Sequence, residues 1–261
     1  MGAVTGLSAL SGISIFASPA PAAGGLDPDA AAYIANVEAA DGLSLEEATK
    51  TAINDFVVGC KADGIWAAME SVGILAGART LAGALVPLKG PAPTNVGFVS
   101  GDYNRATGLK GDGTKYLDSN YANETPPGDN AHMAAWVSDI DTSTGVSVYG
   151  IHNNGGRSAI FSFGIRSREF GSSRSMGFSD FIGHSRAPSN DVDIKGVTLV
   201  TLNYSPDNPV AGTYFVFARN VGGSPFGTSA HGITYYSAGR SLGIETLESR
   251  VRTLMTYFSG L

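Results

Sequence analysis

The side chains best able to do chemistry in this 261-residue chain are its carboxylates. Two of them about 5 Å apart would serve a retaining glycosidase, one as nucleophile and the other as acid/base. On a strand such a pair falls at i and i+2, because alternate residues share a face. Asp139 and Asp141 in VSDIDTSTG have that spacing, although at a strand end that runs into a turn. Between residues 96 and 240 the only glutamates are Glu124 and Glu169, both in loop-like contexts. No G-x-S-x-G elbow occurs, and His132, His152, His184 and His231 are scattered without a paired motif. No catalytic residue and no metal ligand is assigned from these groups, and the chain is expected not to be an enzyme.

Saccharide recognition makes a different demand: aromatic rings for stacking, with amides, acids and guanidiniums for directional hydrogen bonds. Tyr103, Arg105, Tyr121, Asn153, Arg157 and Arg186 are the candidate glycan-binding residues, expected on exposed loops. Two glycine motifs read as turns. GLKGDGTKYLDS lacks the Lys-Ser/Thr ending and following helix of a phosphate loop, and HNNGGR at 152–157 suits a hairpin. Cys60, the one cysteine, lies in an apolar helical stretch and reads as a buried small hydrophobe.

The elements that must position these residues divide at about Asn95. Asp27-Pro28 opens a helix to about Ala40, and Asp41-Gly42 stops it. Ser44 with Glu47 forms a capping box for a second helix ending at Gly59, and the spacing of Ile65, Trp66, Met69 and Val72 predicts a third. Residues 74–95 lose any period and read as a connector. Beyond them, nine short runs punctuated by Gly, Asn, Asp and Ser predict strands at 107–109, 115–118, 131–138, 145–152, 159–165, 175–178, 196–204, 213–219 and 233–239. The runs at 196–204 and 213–219 flank SPDNPVAG and are expected to pair as a hairpin. Leu247, Val251, Leu254 and Phe258 predict a closing helix over 244–258. The organisation expected is an apolar arm (1–25), a helical attachment and oligomerisation region with connector (26–95), and a β-sandwich with C-terminal helix (96–261).

Composition narrows the function classes. Gly is abundant at 35 residues, which suits many strands and tight turns. The net charge of −6 is concentrated in front: residues 1–95 hold four basic and nine acidic side chains, residues 96–240 eleven and twelve. No basic surplus exists to track phosphates, so nucleic acid is not an expected partner. No run reaches the roughly 18 apolar residues of a membrane span. The apolar first 23 residues lack the basic n-region of a secretory signal, since the first basic residue is Lys50, and read instead as a docking segment.

The passage ITYYSAGRSLGIETLESRVRTLMTYFSGL resembles the closing signature of concanavalin A-like, laminin-G-like jelly rolls of phage and prophage virion proteins: a last strand, an S-x-G-x-x-L turn (Ser237, Gly239, Leu242) and a short helix from Ile244. AYIANVEAADG, AINDFVVGCKADGIW and LAGARTLAGALVPLKG, running into GLKGDGTKYLDS, resemble the front half of such proteins. The resemblance implies a mainly β fold, a concanavalin A-like antiparallel β-sandwich behind a helical N-terminal region. It implies a structural protein of the virion surface, made in the host cytoplasm, as a head decoration or fibre component. A tail-fibre adhesin for host surface glycan is the alternative. The expected partners are other virion proteins of capsid, neck or tail, and further copies of itself as a homo-oligomer, a trimer or an isologous dimer. No cofactor is assigned. Folds of this kind often hold calcium in rim loops, for which Asp112, Asp129, Asn130, Asp191 and Asp193 are the available ligands.

Overall fold

The computed structural model of the chain describes residues 25–153, 156–161, 164–167, 180–206 and 208–261. The expected arm up to residue 24, the strand at 175–178, Glu169, the Asn154-Gly155 turn and the side chains of Asn153 and Arg157 lie outside the described residues.

Helix α1 (Pro28–Asp41) begins as its sequence dictates: Asp27 caps it by accepting from Asp29 N, Pro28 sits in the first turn, and Gly42 ends it at φ 65°. Helix α2 (Glu47–Ala62) does not use the Ser44 capping box. Its N-cap position is Glu46, whose carboxylate is drawn away to Arg105. A 3-10 turn at Trp66–Ala68 then leads into strand β1 (Met69–Ile74), where a third helix was expected. The reason is burial. All but one residue of β1 is buried, and a short run with no exposed face carries no readable period.

After the single turn α3 (Leu81–Ala84) come β2 (Pro87–Lys89), β3 (Thr94–Val96), β4 (Tyr103–Asn104), β5 (Gly108–Lys110), β6 (Tyr116–Ala122), β7 (Ala131–Asp139), β8 (Ser147–Asn153) and β9 (Gly156–Phe161). They are followed by β10 (Gly164–Ser167), β11 (Phe181–Arg186), β12 (Asp191–Lys195), β13 (Leu199–Asn203), β14 (Thr213–Val216), β15 (Arg219–Val221), β16 (Ser224–Phe226) and β17 (Gly232–Gly239). Helix α4 (Ile244–Phe258) closes the chain over the span its apolar spacing predicts.

These strands form two sheets, and the fold is mainly β, a β-sandwich-like arrangement with a few helices. The first sheet runs β13-β12-β11-β7-β17-β1-β2, with β5 on β17 and β4 on β5. The second runs β10-β9-β8-β14-β6-β3, with β15 parallel to β8 and β16 on β15. The sheets therefore take in residues upstream of Asn95. The expected pairing of 196–204 with 213–219 does not occur: β13 edges the first sheet, whereas β14 lies inside the second, so SPDNPVAG crosses between sheets. A turn-rich spacer sets only where the chain reverses, not which sheet receives the next strand.

The central strands of the first sheet, β11, β7, β17 and β1, are buried on both faces. One face packs against the second sheet through Met133, Ala135, Val137, Ile182 and Tyr236, which meet Tyr149, Ile151, Ile160 and Tyr214. The other face carries the helices: Val72, Ile74, Ala134, Phe181 and Tyr235 pack under Tyr33, Val37, Phe56, Val57, Leu247, Val251 and Phe258. Each such side chain withdrawn from water contributes about 1.5–3 kcal/mol. The acidic front helices are thus a layer of the body. Gly239 is needed where β17 ends in the first sheet, because a Cβ there would stand 2.1 Å from the Ala68 carbonyl oxygen. Among the described residues no helix is long and apolar enough to cross a membrane.

Candidate functional site: a polar recess beside Arg105

Beside the short strand β4, a recess of about 400 Å³ is lined by Arg79, Thr80, Leu81, Ser100, Tyr103, Asn104 and Arg105. Two of its residues, Tyr103 and Arg105, are among those the sequence singles out. The rest come from segments read only as connector or loop.

Buried charge builds one wall. The Asp41 carboxylate at the end of α1 accepts from Arg79 N (2.7 Å), Thr80 N (2.9 Å), Thr80 Oγ1 (2.6 Å) and Gly83 N (3.1 Å), which fixes the turn that starts α3. Thr80 also N-caps that turn, a signal visible in the sequence as Thr before LAGA. With this segment held, Arg79 and Arg105 both reach Glu46. Arg105 donates through Nη1 and Nη2 to the two carboxylate oxygens at 3.0 and 2.7 Å, and Arg79 Nη2 lies 2.9 Å from Oε1. The hydrogen bonds from Arg105 hold the Glu46 carboxyl at about 2 against the opposing effect of burial, and the Arg79 charge adds to them.

The opposite wall is β4 and its turn. Tyr103 donates to the Ala78 carbonyl at 2.8 Å, and burial pushes its phenol well above the usual range. Asn104 Oδ1 accepts from Ala106 N and Thr107 N, locking the turn into β5. Arg105 further donates to the carbonyls of Ala78 and Gly77. The recess thereby presents the Arg79 guanidinium, the Asn104 amide and hydroxyls on fixed backbone, while four of the five N–H groups of Arg105 and the Tyr103 hydroxyl are engaged in holding it. Such a surface can bind a polyhydroxylated ligand by directional hydrogen bonds.

The other expected glycan residues do not join this site. Tyr121 is 6% exposed, faces Tyr214 between the sheets and donates to Glu70. Arg186 is fully buried at the end of β11 and donates to the carbonyls of Tyr204 (2.7 Å) and Ser167 (2.8 Å). Their expected exposure is corrected: both lie near strand ends, where a polar residue reads as rim from sequence but its side chain turns inward. Asn153 and Arg157 belong to β8 and β9, with their side chains outside the described residues.

The calcium candidates are dispersed. Asp112 accepts from Thr114, Asn130 from Ser241, Asp191 from Asn203 and Asp193 from Thr201. Among the described residues no group of three or more His, Cys, Asp or Glu side chains is placed to hold a metal. Asp139 pairs with Lys110, while Asp141 accepts from Ala230 N and Ser143 N. Burial works to raise the Asp141 carboxyl, and these hydrogen bonds outweigh it and hold it at about 2. His132 and His231 are buried, and burial brings both down to about 4. Cys60 is buried as expected, and desolvation pushes its thiol up to about 12.

No family model matches this sequence, and no curated protein matches it. Among solved structures the chain is similar to the NanB sialidase of Streptococcus pneumoniae (11% identity, TM-score 0.41), over 54% of this chain and 26% of that one. It is similar to the sialidase of Trypanosoma rangeli (12%, TM-score 0.40), over 72% and 32%. Domain 4 of AbnA, a GH43 extracellular arabinanase of Geobacillus stearothermophilus solved with arabinotriose, is similar at 11% identity and a TM-score of 0.37, over 61% and 82%. The chain spans about a third or less of the two sialidase chains. The expectation that the chain is not an enzyme is corrected by these neighbours, which are sialidases and a domain of an arabinanase. At these TM-scores the similarity transfers no activity and no site residue.

Proposed function

We propose that this chain is a structural protein of a phage virion surface, a head decoration or fibre component, that displays a concanavalin A-like jelly-roll sandwich and contacts saccharide through the recess beside Arg105. The observation that carries the saccharide contact is the recess itself: Arg79, Tyr103, Asn104 and Arg105 are held on one surface by hydrogen bonds to backbone and to buried Asp41. The virion assignment is supported by the sequence resemblance, whose S-x-G-x-x-L residues fall where β17 hands over to α4. Attachment to capsid, neck or tail is assigned to residues 1–24, because most apolar side chains of α1 and α2 are already taken up by the core under the helices. Homo-oligomeric display would let a shallow recess act through effective concentration.

Two measurements test this reading. Deleting residues 1–24 is expected to abolish incorporation into particles while the remainder stays folded; unchanged incorporation rules out attachment through that segment. A glycan array probed with the purified protein is expected to give hits that Arg79→Ala and Asn104→Ala weaken. Hits unaffected by both substitutions remove the recess from the binding surface.

A further inference from the structure

The turn from Asn104 to Thr107 also borders a second recess. This one, of about 330 Å³, is lined by Ala106 and Thr107 of the turn and by Trp136, Ser138, Asp180 and Arg252, with the end of α4 closing it. Arg105 lines the first recess and its neighbour Ala106 the second, so one turn borders both. Ser138 donates to the Thr107 carbonyl at 2.5 Å, which ties the turn to β7 as Asn104 ties it to β4.

We infer that the two recesses are subsites of one groove, and that the groove takes a linear oligosaccharide laid across the Arg105–Thr107 turn with Trp136 as its stacking platform. The inference rests on the saccharide reading of the first recess and extends it to the class of ligand. Sugars carry an apolar C–H face and a hydroxyl edge, and the second recess offers a partner for each. Trp136 is the aromatic wall, and Thr107, Ser138, Thr256 and Ser259 supply a hydroxyl rim.

The indole is 8% exposed: it packs in the core beneath the helices, and the Arg252 guanidinium lies over the ring, 4.9 Å from its centroid. That cover is lightly held. The Arg252 side chain is 48% exposed, its ion pair with Asp180 is long at 3.9 Å, and its short contact is to Glu248 on its own helix. Exposed pairs of this kind contribute little to stability, so a sugar ring can displace the guanidinium and still receive its hydrogen bonds. A nucleic acid fits poorly, since the chain is net acidic and each arginine here has a carboxylate beside it.

The test uses the intact chain carrying Trp66→Phe, which leaves Trp136 as the remaining tryptophan and lies away from both recesses. Size-graded cello-, chito-, isomalto- and sialo-oligosaccharides serve as probes, with affinity measured by calorimetry and Trp136 emission recorded in parallel. The expected result is that in at least one series the long oligomers bind at least about tenfold more tightly than the disaccharide and shift Trp136 emission. Thr256→Phe, which fills the second recess from an exposed helix position, is expected to remove the length-dependent gain. Binding without length dependence, or an emission that stays still while long oligomers bind, overturns the two-subsite groove and leaves the first recess standing. If no oligomer binds in any series, both readings fall.

Discussion

Arg105 and Glu46, 59 positions apart in sequence, close on each other as a two-point fork, with Nη1 on Oε1 and Nη2 on Oε2. The fork joins the start of α2 to the turn that borders both recesses. Lysine cannot reproduce it, because a single ammonium cannot match both carboxylate oxygens in parallel. Arg105→Lys and Glu46→Gln are each expected to cost about 1 kcal/mol or less, since the pair is partly exposed. In a double-mutant cycle read by urea denaturation the two effects should not add. Strict additivity would show that the fork couples nothing.

Asp41 carries more weight. It is 9% exposed and receives three backbone N–H groups and one hydroxyl from the segment Arg79–Gly83. Asp41→Ala leaves those donors without their acceptor and is expected to destabilise the chain by about 3 kcal/mol and to weaken saccharide binding at the recess. A loss under about 0.5 kcal/mol in chemical denaturation would contradict this account.

Acid sensitivity follows from the buried histidines. His132 donates from Nδ1 to the Arg240 carbonyl, and His231 accepts at Nδ1 from Asp141 N; burial brings both to about 4. Unfolded histidine titrates near 6.5, so below that pH the unfolded chain takes up protons that the folded chain refuses. Stability is expected to be full above about pH 6.5 and to fall toward pH 4, by on the order of 2–3 kcal/mol per histidine. Below that range the carboxylates of Glu46 and Asp141, both held at about 2, lose their folded-state advantage as they protonate. Urea midpoints between pH 7 and 4 measure the slope. His132→Asn, which keeps a donor for Arg240 and removes the titration, should make it shallower, and an unchanged slope would exclude His132 as a source.

Arg186 links the two sheets. It leaves β11 of the first sheet, donates to Ser167 at the end of β10 in the second, and stacks 4.4 Å from the Tyr204 ring centroid. Arg186→Ala is expected to cost about 3 kcal/mol, since it removes buried charge-assisted hydrogen bonds and opens a hole, and Arg186→Lys should recover little of that. Thermal unfolding of both variants checks the order. A lysine variant as stable as the parent would show that only charge, and not the planar fork, matters there.

Local signals were legible wherever one element decided its own shape. Asp27-Pro28 and Gly42 bound α1, and the spacing from Leu247 to Phe258 lays out α4, because a half-buried helix must repeat its apolar face. The sheet-rich body was legible from its short runs and glycine turns. Strand β1 was not: Met69 to Ile74 are buried almost throughout, and without a solvent-facing side the period that separates helix from strand vanishes. The strands β11 and β12 were missed with it, and the first of them is buried along its whole length.

The sequence by itself determined the mainly β body, the flanking helices and the lack of a basic surplus. It also singled out Tyr103 and Arg105. Only the tertiary structure decided that Arg79, Thr80 and Asn104 stand beside them, that Trp136 lies across the same turn, and that Tyr121 and Arg186 point inward. The physical reason is range. A helix face or a turn is set by residues a few positions apart, whereas a recess is set by which strands become neighbours. That choice belongs to the packing of the two sheets and the helical layer as a whole.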